Sequence, residues 1–90
     1  MPRNSSTPLP PNPKYTDGEK HIHVKLAEKL VATRLTVTDI SGGCGSMYAV
    51  EIASPQFAGL SPVKQHRMVT EVLKDDIKQM HGIQIKTAAA

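Results

Sequence analysis

The chain has 90 residues with one cysteine, no tryptophan and only three aromatics, Tyr15, Tyr48 and Phe57, which fits one small domain and not two. A lone cysteine rules out an internal disulfide framework, no Cys/His set has zinc-finger spacing, and no apolar run is long enough to cross a bilayer. Eleven Lys/Arg against eight Asp/Glu give a net charge of +3, compatible with nucleic acid or an acidic partner and diagnostic of neither.

Residues 1–18, MPRNSSTPLPPNPKYTDG, hold five of the seven prolines and one large aliphatic residue, Leu9. Such a stretch buries too little apolar surface to offset its chain entropy, so it is expected to be disordered, with a domain over 19–90. Its arginine, serines and scarcity of acids resemble a transit peptide, but the prolines oppose the amphipathic helix such peptides use. From Glu19 the pattern turns helical: Ile22, Leu26 and Leu30 recur every four residues, Ala27 and Val31 widen the stripe, and Lys20, Lys25, Glu28 and Lys29 face outward. Asp17 or Gly18 is the expected cap, and the helix should end near Thr33.

Leu35–Ile40 and Met47–Ala53 alternate and are rich in β-branched residues, which predicts two strands of an antiparallel hairpin. The loop between them, SGGCGS at 41–46, carries three glycines and Cys44 at its tip. Pro55 ends the second strand. Ser61-Pro62 is a helix start, with Ser61 as N-cap and Pro62 in the first turn. Val69, Val72, Leu73, Ile77 and Met80 follow at helical spacing, with His81 in the last turn and Gly82 as C-cap. Ile83–Thr87 alternates again as a third strand. The order α-β-β-α-β predicts an α+β domain with both helices on one face of a small three-stranded mixed sheet.

Cys44 in its glycine loop should be an exposed thiol, able to ligate a metal or cluster, form a mixed disulfide or act as a nucleophile. Nucleophilic catalysis needs a positioned base and an oxyanion pocket, and the chain shows no acyl-transfer motif, which argues against an enzyme. His21 and His23 are two residues apart near the start of the first helix, so their rings face different ways as solvated positions. His66 lies early in the second helix and His81 ends it. One cysteine and one histidine make half of a four-ligand cluster site, so a [2Fe–2S] cluster here would draw its remaining ligands from a partner protein. Nucleic acid is a weaker reading. GGCG at 42–45 formally matches GxxG but joins two strands, and no paired strand aromatics are present to stack bases. Lys64, Arg67, Lys74 and Lys78 alternate with Glu71, Asp75 and Asp76 as a mixed face more than a phosphate stripe.

VTDISGGCGSMYAVEIASPQF followed by GLSPVKQHRMVTEVLKDDIKQMHGIQI resembles the BolA family, and within it the cysteine-bearing mitochondrial branch. The resemblance covers about residues 19–87 and is strongest in ISGGCGSMY, KQHRMV and MHGIQIKT. It implies a class II KH-like α+β fold and a protein that is not an enzyme. It further implies pairing with a monothiol glutaredoxin to share a bridging [2Fe–2S] cluster, with glutathione supplied on the partner side. The branch helps deliver clusters in the mitochondrial matrix to late targets such as lipoate synthase and respiratory components, alongside an Nfu-type carrier. The family's cluster ligands fall on Cys44 and His81, and its helix histidine on His66, as ligand or as support for the fold. Lys64, Arg67 and Lys78 are the expected docking cations for the partner. A KH-like nucleic-acid-binding regulator is the alternative reading.

Overall fold

The structure, a computed structural model, describes residues 9–42 and 46–89. Helix α1 spans Asp17–Leu30, strands β1 and β2 span Arg34–Asp39 and Met47–Ser54, and a single 3-10 turn follows at Pro55–Phe57. Helices α2 (Pro62–Val72) and α3 (Lys74–Ile77) lead into strand β3 (Gly82–Ala89). The sheet order is β1-β2-β3, with β1 antiparallel and β3 parallel to the central β2. This is the α+β architecture expected from the sequence, with a mixed three-stranded sheet.

Strand alternation decides which face is covered. Val37, Tyr48, Val50 and Ile52 point into a core that also holds Ile22, Leu26 and Leu30 of α1 and Val69 and Leu73 behind α2. The opposite face is open: Thr36, Glu51 and Lys86 lie in register across the three strands, and all three are exposed. Phe57, fully buried, is the largest side chain closed into the core.

Six local expectations are corrected. Helix α1 starts two residues earlier than read, because Thr16, not Asp17 or Gly18, is the N-cap. Its hydroxyl accepts from the Glu19 N–H while the Glu19 carboxylate accepts from the Thr16 N–H, a reciprocal capping box. The same helix stops at Leu30 rather than near Thr33, and Val31, 41% exposed in a left-handed conformation (φ 50, ψ 54), leaves the buried stripe.

The second helix breaks at Leu73 (φ −99, ψ 11) instead of running on to the strand. The break lets α3 place Asp76 against α1, where it accepts from Lys25 Nζ at 2.7 Å and His21 Nε2 at 2.8 Å. Gly82 accordingly opens β3 and is not a helix cap. The stretch expected to be disordered, 1–18, is described from Leu9 onward, and there it makes contacts. The Tyr15 hydroxyl accepts from the Val37 N–H at 3.1 Å, and the Leu9 carbonyl accepts from His23 Nε2 at 3.0 Å. His23 is therefore buried rather than solvated, tilted against the Tyr15 ring at 5.6 Å.

Candidate functional site

The hairpin loop is closed at its neck by side chains. The Asp39 carboxylate accepts from both the N–H and the hydroxyl of Ser41, at 2.8 and 2.5 Å, and the Ser41 hydroxyl accepts from the Ser46 N–H at 3.3 Å. The Ile40 N–H donates to the Met47 carbonyl at 2.9 Å, completing the neck. Asp39 at two residues before a hydrogen-bonded N–H is an Asx turn, a local signal present in the sequence as Asp-Ile-Ser.

Ser46 then ties this neck to the far end of the chain. Its carbonyl accepts from the His81 N–H at 2.6 Å and from the Gly82 N–H at 3.3 Å. The cause is the parallel register, in which Met47 faces Gly82 across the β2–β3 ladder. The sheet therefore brings His81, exposed, to the base of the loop. Cys44 lies outside the described residues. Among the described residues no group of three or more His, Cys, Asp or Glu side chains could hold a metal ion.

His66 is placed elsewhere. Its neighbour Gln65 accepts from the Thr87 hydroxyl at 2.5 Å and donates to the Phe57 and Leu60 carbonyls. That anchors the start of α2 at the Thr87 end of β3, five residues and about 17 Å of strand from Gly82. His66, exposed, stands by that end and not beside His81. The three docking cations are likewise divided. Lys64 and Arg67 share one groove with Leu60 and Met68, whereas Lys78 follows α3, three residues before His81, with its Nζ 3.7 Å from Asp75.

A small cavity of about 160 Å³ adjoins the loop end, lined by Gly18, His21, Ile22, Tyr48, Asp76 and Met80 among others. Burial and the nearby carboxylates of Asp39 and Glu19 push the Tyr48 hydroxyl above its ordinary pKa. At Asp76 burial alone acts upward, but the hydrogen bonds and charges of Lys25 and His21 outweigh it and hold the carboxyl below its ordinary value. Sequence reading did not find Asp76, because its partners are 51 and 55 residues away.

A family model described as BolA-like protein matches residues 21–90. BolA-like protein 3 of Homo sapiens is 49% identical over 74 residues, covering 81% of this chain and 69% of that protein. BolA-like protein 3 of Saccharomyces cerevisiae is 49% identical over 72 residues, covering 80% of this chain. The chain spans 61% of the length of that yeast relative. Among solved structures, BolA1 from Arabidopsis thaliana matches with a TM-score of 0.77 at 24% identity, over 83% of this chain and 94% of that one, a likeness of fold.

Proposed function

The chain belongs to the BolA-like protein family, and from that premise we propose that it is an iron–sulfur cluster assembly and transfer factor. In this reading it pairs with a monothiol glutaredoxin and contributes Cys44 and His81 to a bridging [2Fe–2S] cluster, with glutathione supplied on the partner's side. The cluster is cargo passed on to mitochondrial iron–sulfur proteins in the matrix, with an Nfu-type carrier as a further partner, and the chain supplies no catalytic residue. One observation carries the reading: the Ser46 carbonyl holds the backbone of His81, and Cys44 precedes Ser46 by two residues. Two peptide units separate the thiol-bearing residue from Ser46, whose carbonyl holds the His81 backbone, at most about 7 Å of chain.

The residues suit a shared and transferable cargo. A cysteine and a histidine are two ligands of the four a [2Fe–2S] cluster takes, which leaves two for the partner. An imidazole in place of a thiolate lowers the cluster's negative charge and raises its potential. Both groups must shed their protons to ligate, so holding is pH-dependent. The backbone of His81 is set by the sheet, whereas Cys44 belongs to the glycine-rich sequence SGGCGS. Of the three expected docking cations, Lys78, three residues before His81, is the one this reading assigns to the glutaredoxin. His66, at the other end of β3, stands outside the proposed ligand pair.

The test mixes the chain with a monothiol glutaredoxin, glutathione, ferrous iron and sulfide without oxygen, followed by size-exclusion chromatography and visible circular dichroism. A heterodimer is expected whose cluster spectrum differs from that of the glutaredoxin alone. Cys44→Ala and His81→Ala are each expected to alter that spectrum and shorten the cluster's lifetime while leaving the far-ultraviolet spectrum of the free chain unchanged. An unaltered glutaredoxin spectrum with no complex would overturn the proposal. Salt-sensitive DNA binding that survives Cys44→Ala would favour a nucleic-acid role instead.

A further inference from the structure

A second surface lies at the opposite end of the fold from His81. The C-terminal turn of α1, the segment after the 3-10 turn and one side of α2 enclose an open groove of about 730 Å³. It flanks the Ser54 end of β2, where the Ser54 hydroxyl donates to the Leu30 carbonyl, seven residues and about 23 Å of strand from Met47. Its floor is apolar, made by Leu30, Leu60, Met68 and Val72. Leu60, Met68 and Val72 are half-buried, so an apolar partner could cover what they leave open.

The rim is mostly cationic. Lys29, Lys64 and Arg67 line it, and among the described residues none of the three is in an ion pair. The single acid on the rim, Glu71, has Lys74 at 3.7 Å. We propose that this groove is a protein-docking site for an acidic amphipathic helix, with its aliphatic face on Leu60, Met68 and Val72 and its carboxylates against Lys29, Lys64 and Arg67. Helix-in-groove recognition uses this combination, apolar anchors at helical spacing flanked by complementary charge.

Other occupants fit less well. The segment 1–8, MPRNSSTP, has no carboxylate and no large aliphatic beyond its first methionine, and it carries an arginine. A second copy of a chain with net charge +3 would bring like charge to a basic rim. A nucleic-acid backbone would meet the three cations but has no aliphatic face for the floor. The site is separate from the proposed cluster end, so a partner could be held here while His81 is engaged.

The test uses the full chain and four probes of equal length: a designed 16-residue acidic amphipathic helix, the same composition scrambled to destroy its apolar face, a version with Lys for Glu, and a 16-nucleotide oligothymidylate. Binding is followed by fluorescence anisotropy and by amide shifts in two-dimensional NMR. The acidic amphipathic probe is expected to bind with a Kd below about 100 μM, at least about tenfold tighter than the scrambled peptide. Its amide shifts should gather on 29–31, 56–60 and 63–72. Lys64→Glu with Arg67→Glu, both at exposed positions, should weaken it at least about tenfold with the far-ultraviolet spectrum unchanged. Met68→Asp provides a second variant that removes the apolar contact and keeps the cations. Equal binding of the scrambled peptide, shifts centred elsewhere, no binding at millimolar peptide, or tighter binding of the oligothymidylate in the groove would each overturn the proposal. Cluster assembly with glutaredoxin is read separately, so loss of either result leaves the other standing.

Discussion

Gly18 lies in the first turn of α1, and a Cβ built on its backbone would land on the Tyr48 hydroxyl oxygen, with Tyr48 Cζ at 3.2 Å and Cε1 at 3.7 Å. Gly18→Ala therefore sets two effects against each other. Alanine is the better helix former by about 1 kcal/mol in a helix interior, and by less in a first turn. Against this, Tyr48 is a rigid ring only 5% exposed, within the same buried cluster as Ile22 and Val50, so its hydroxyl can move aside only by shifting the packed ring toward the small cavity beside it. Overpacking of this kind costs about 1–3 kcal/mol, so the clash should win by roughly 1 kcal/mol or more. In a domain of this size each kcal/mol lowers Tm by about 4–8 °C. Tyr48→Phe removes the offending oxygen and leaves Cζ as the nearest atom, still close, so in the alanine background it should recover about half of the loss. Urea and thermal unfolding of the wild type, both single variants and the double variant close the cycle. An alanine variant as stable as wild type, or a phenylalanine that recovers nothing, would refute the reasoning.

Asp76→Asn removes the carboxylate charge that faces His21 and Lys25 and one of its two acceptor oxygens, and should cost about 0.5–1 kcal/mol at neutral pH, since both partners are partly solvated. The folded state holds the Asp76 carboxyl below its ordinary 3.8, so its stabilisation is present above that value and disappears as pH falls through the lowered folded value. The asparagine variant should show a flatter loss of stability below about pH 4, and identical acid limbs in urea titrations would count against the pairing. Tyr15→Phe takes away the acceptor for the Val37 N–H on an edge strand; a loss of about 1 kcal/mol and faster hydrogen exchange at Val37 are expected, and unchanged exchange would show that the contact contributes nothing. Val31→Gly relieves a β-branched residue of a left-handed conformation that costs about 1–2 kcal/mol, less what glycine adds to the entropy of the unfolded chain. A rise in the urea midpoint worth about 0.5–1 kcal/mol is expected, and a fall would contradict the assignment.

What could be read from the sequence was what local physics decides. The strands were legible because inward Val37, Val50 and Ile52 alternate with outward Thr36, Thr38 and Glu51, and burial follows that alternation. Ser61 with Pro62 marked the start of α2, and the structure places the Ser61 hydroxyl on the Lys64 N–H. The true cap of α1 was also written locally, as Thr16 followed three residues later by Glu19, but the neighbouring prolines drew the reading toward disorder. Other features depend on residues distant in the chain. The break at Leu73 accompanies ties between Asp76 and α1, and the burial of His23 follows from Leu9 and Tyr15 folding over it. Periodicity cannot show either. Of the candidate site, the residue types were readable, whereas the seating of His81 on Ser46 needed the parallel register of β2 and β3, which alternation leaves open by any even number of residues.

That last freedom has a consequence for how the proposed site can fail. A slip of β3 by two residues along β2 keeps every inward side chain inward, although in one direction it sets Thr87 opposite Val50 where Ile85 stood and in the other His81 opposite Tyr48. It would nonetheless carry His81 about 7 Å away from the Ser46 carbonyl. Seen this way, the two N–H groups on one carbonyl act as an alignment pin: they contribute little to keeping the domain folded and a great deal to where its histidine stands. Substitutions along β3 that leave Tm untouched can therefore still misplace the imidazole, and the amide protons of His81 and Gly82 would report the slip before any melting curve does.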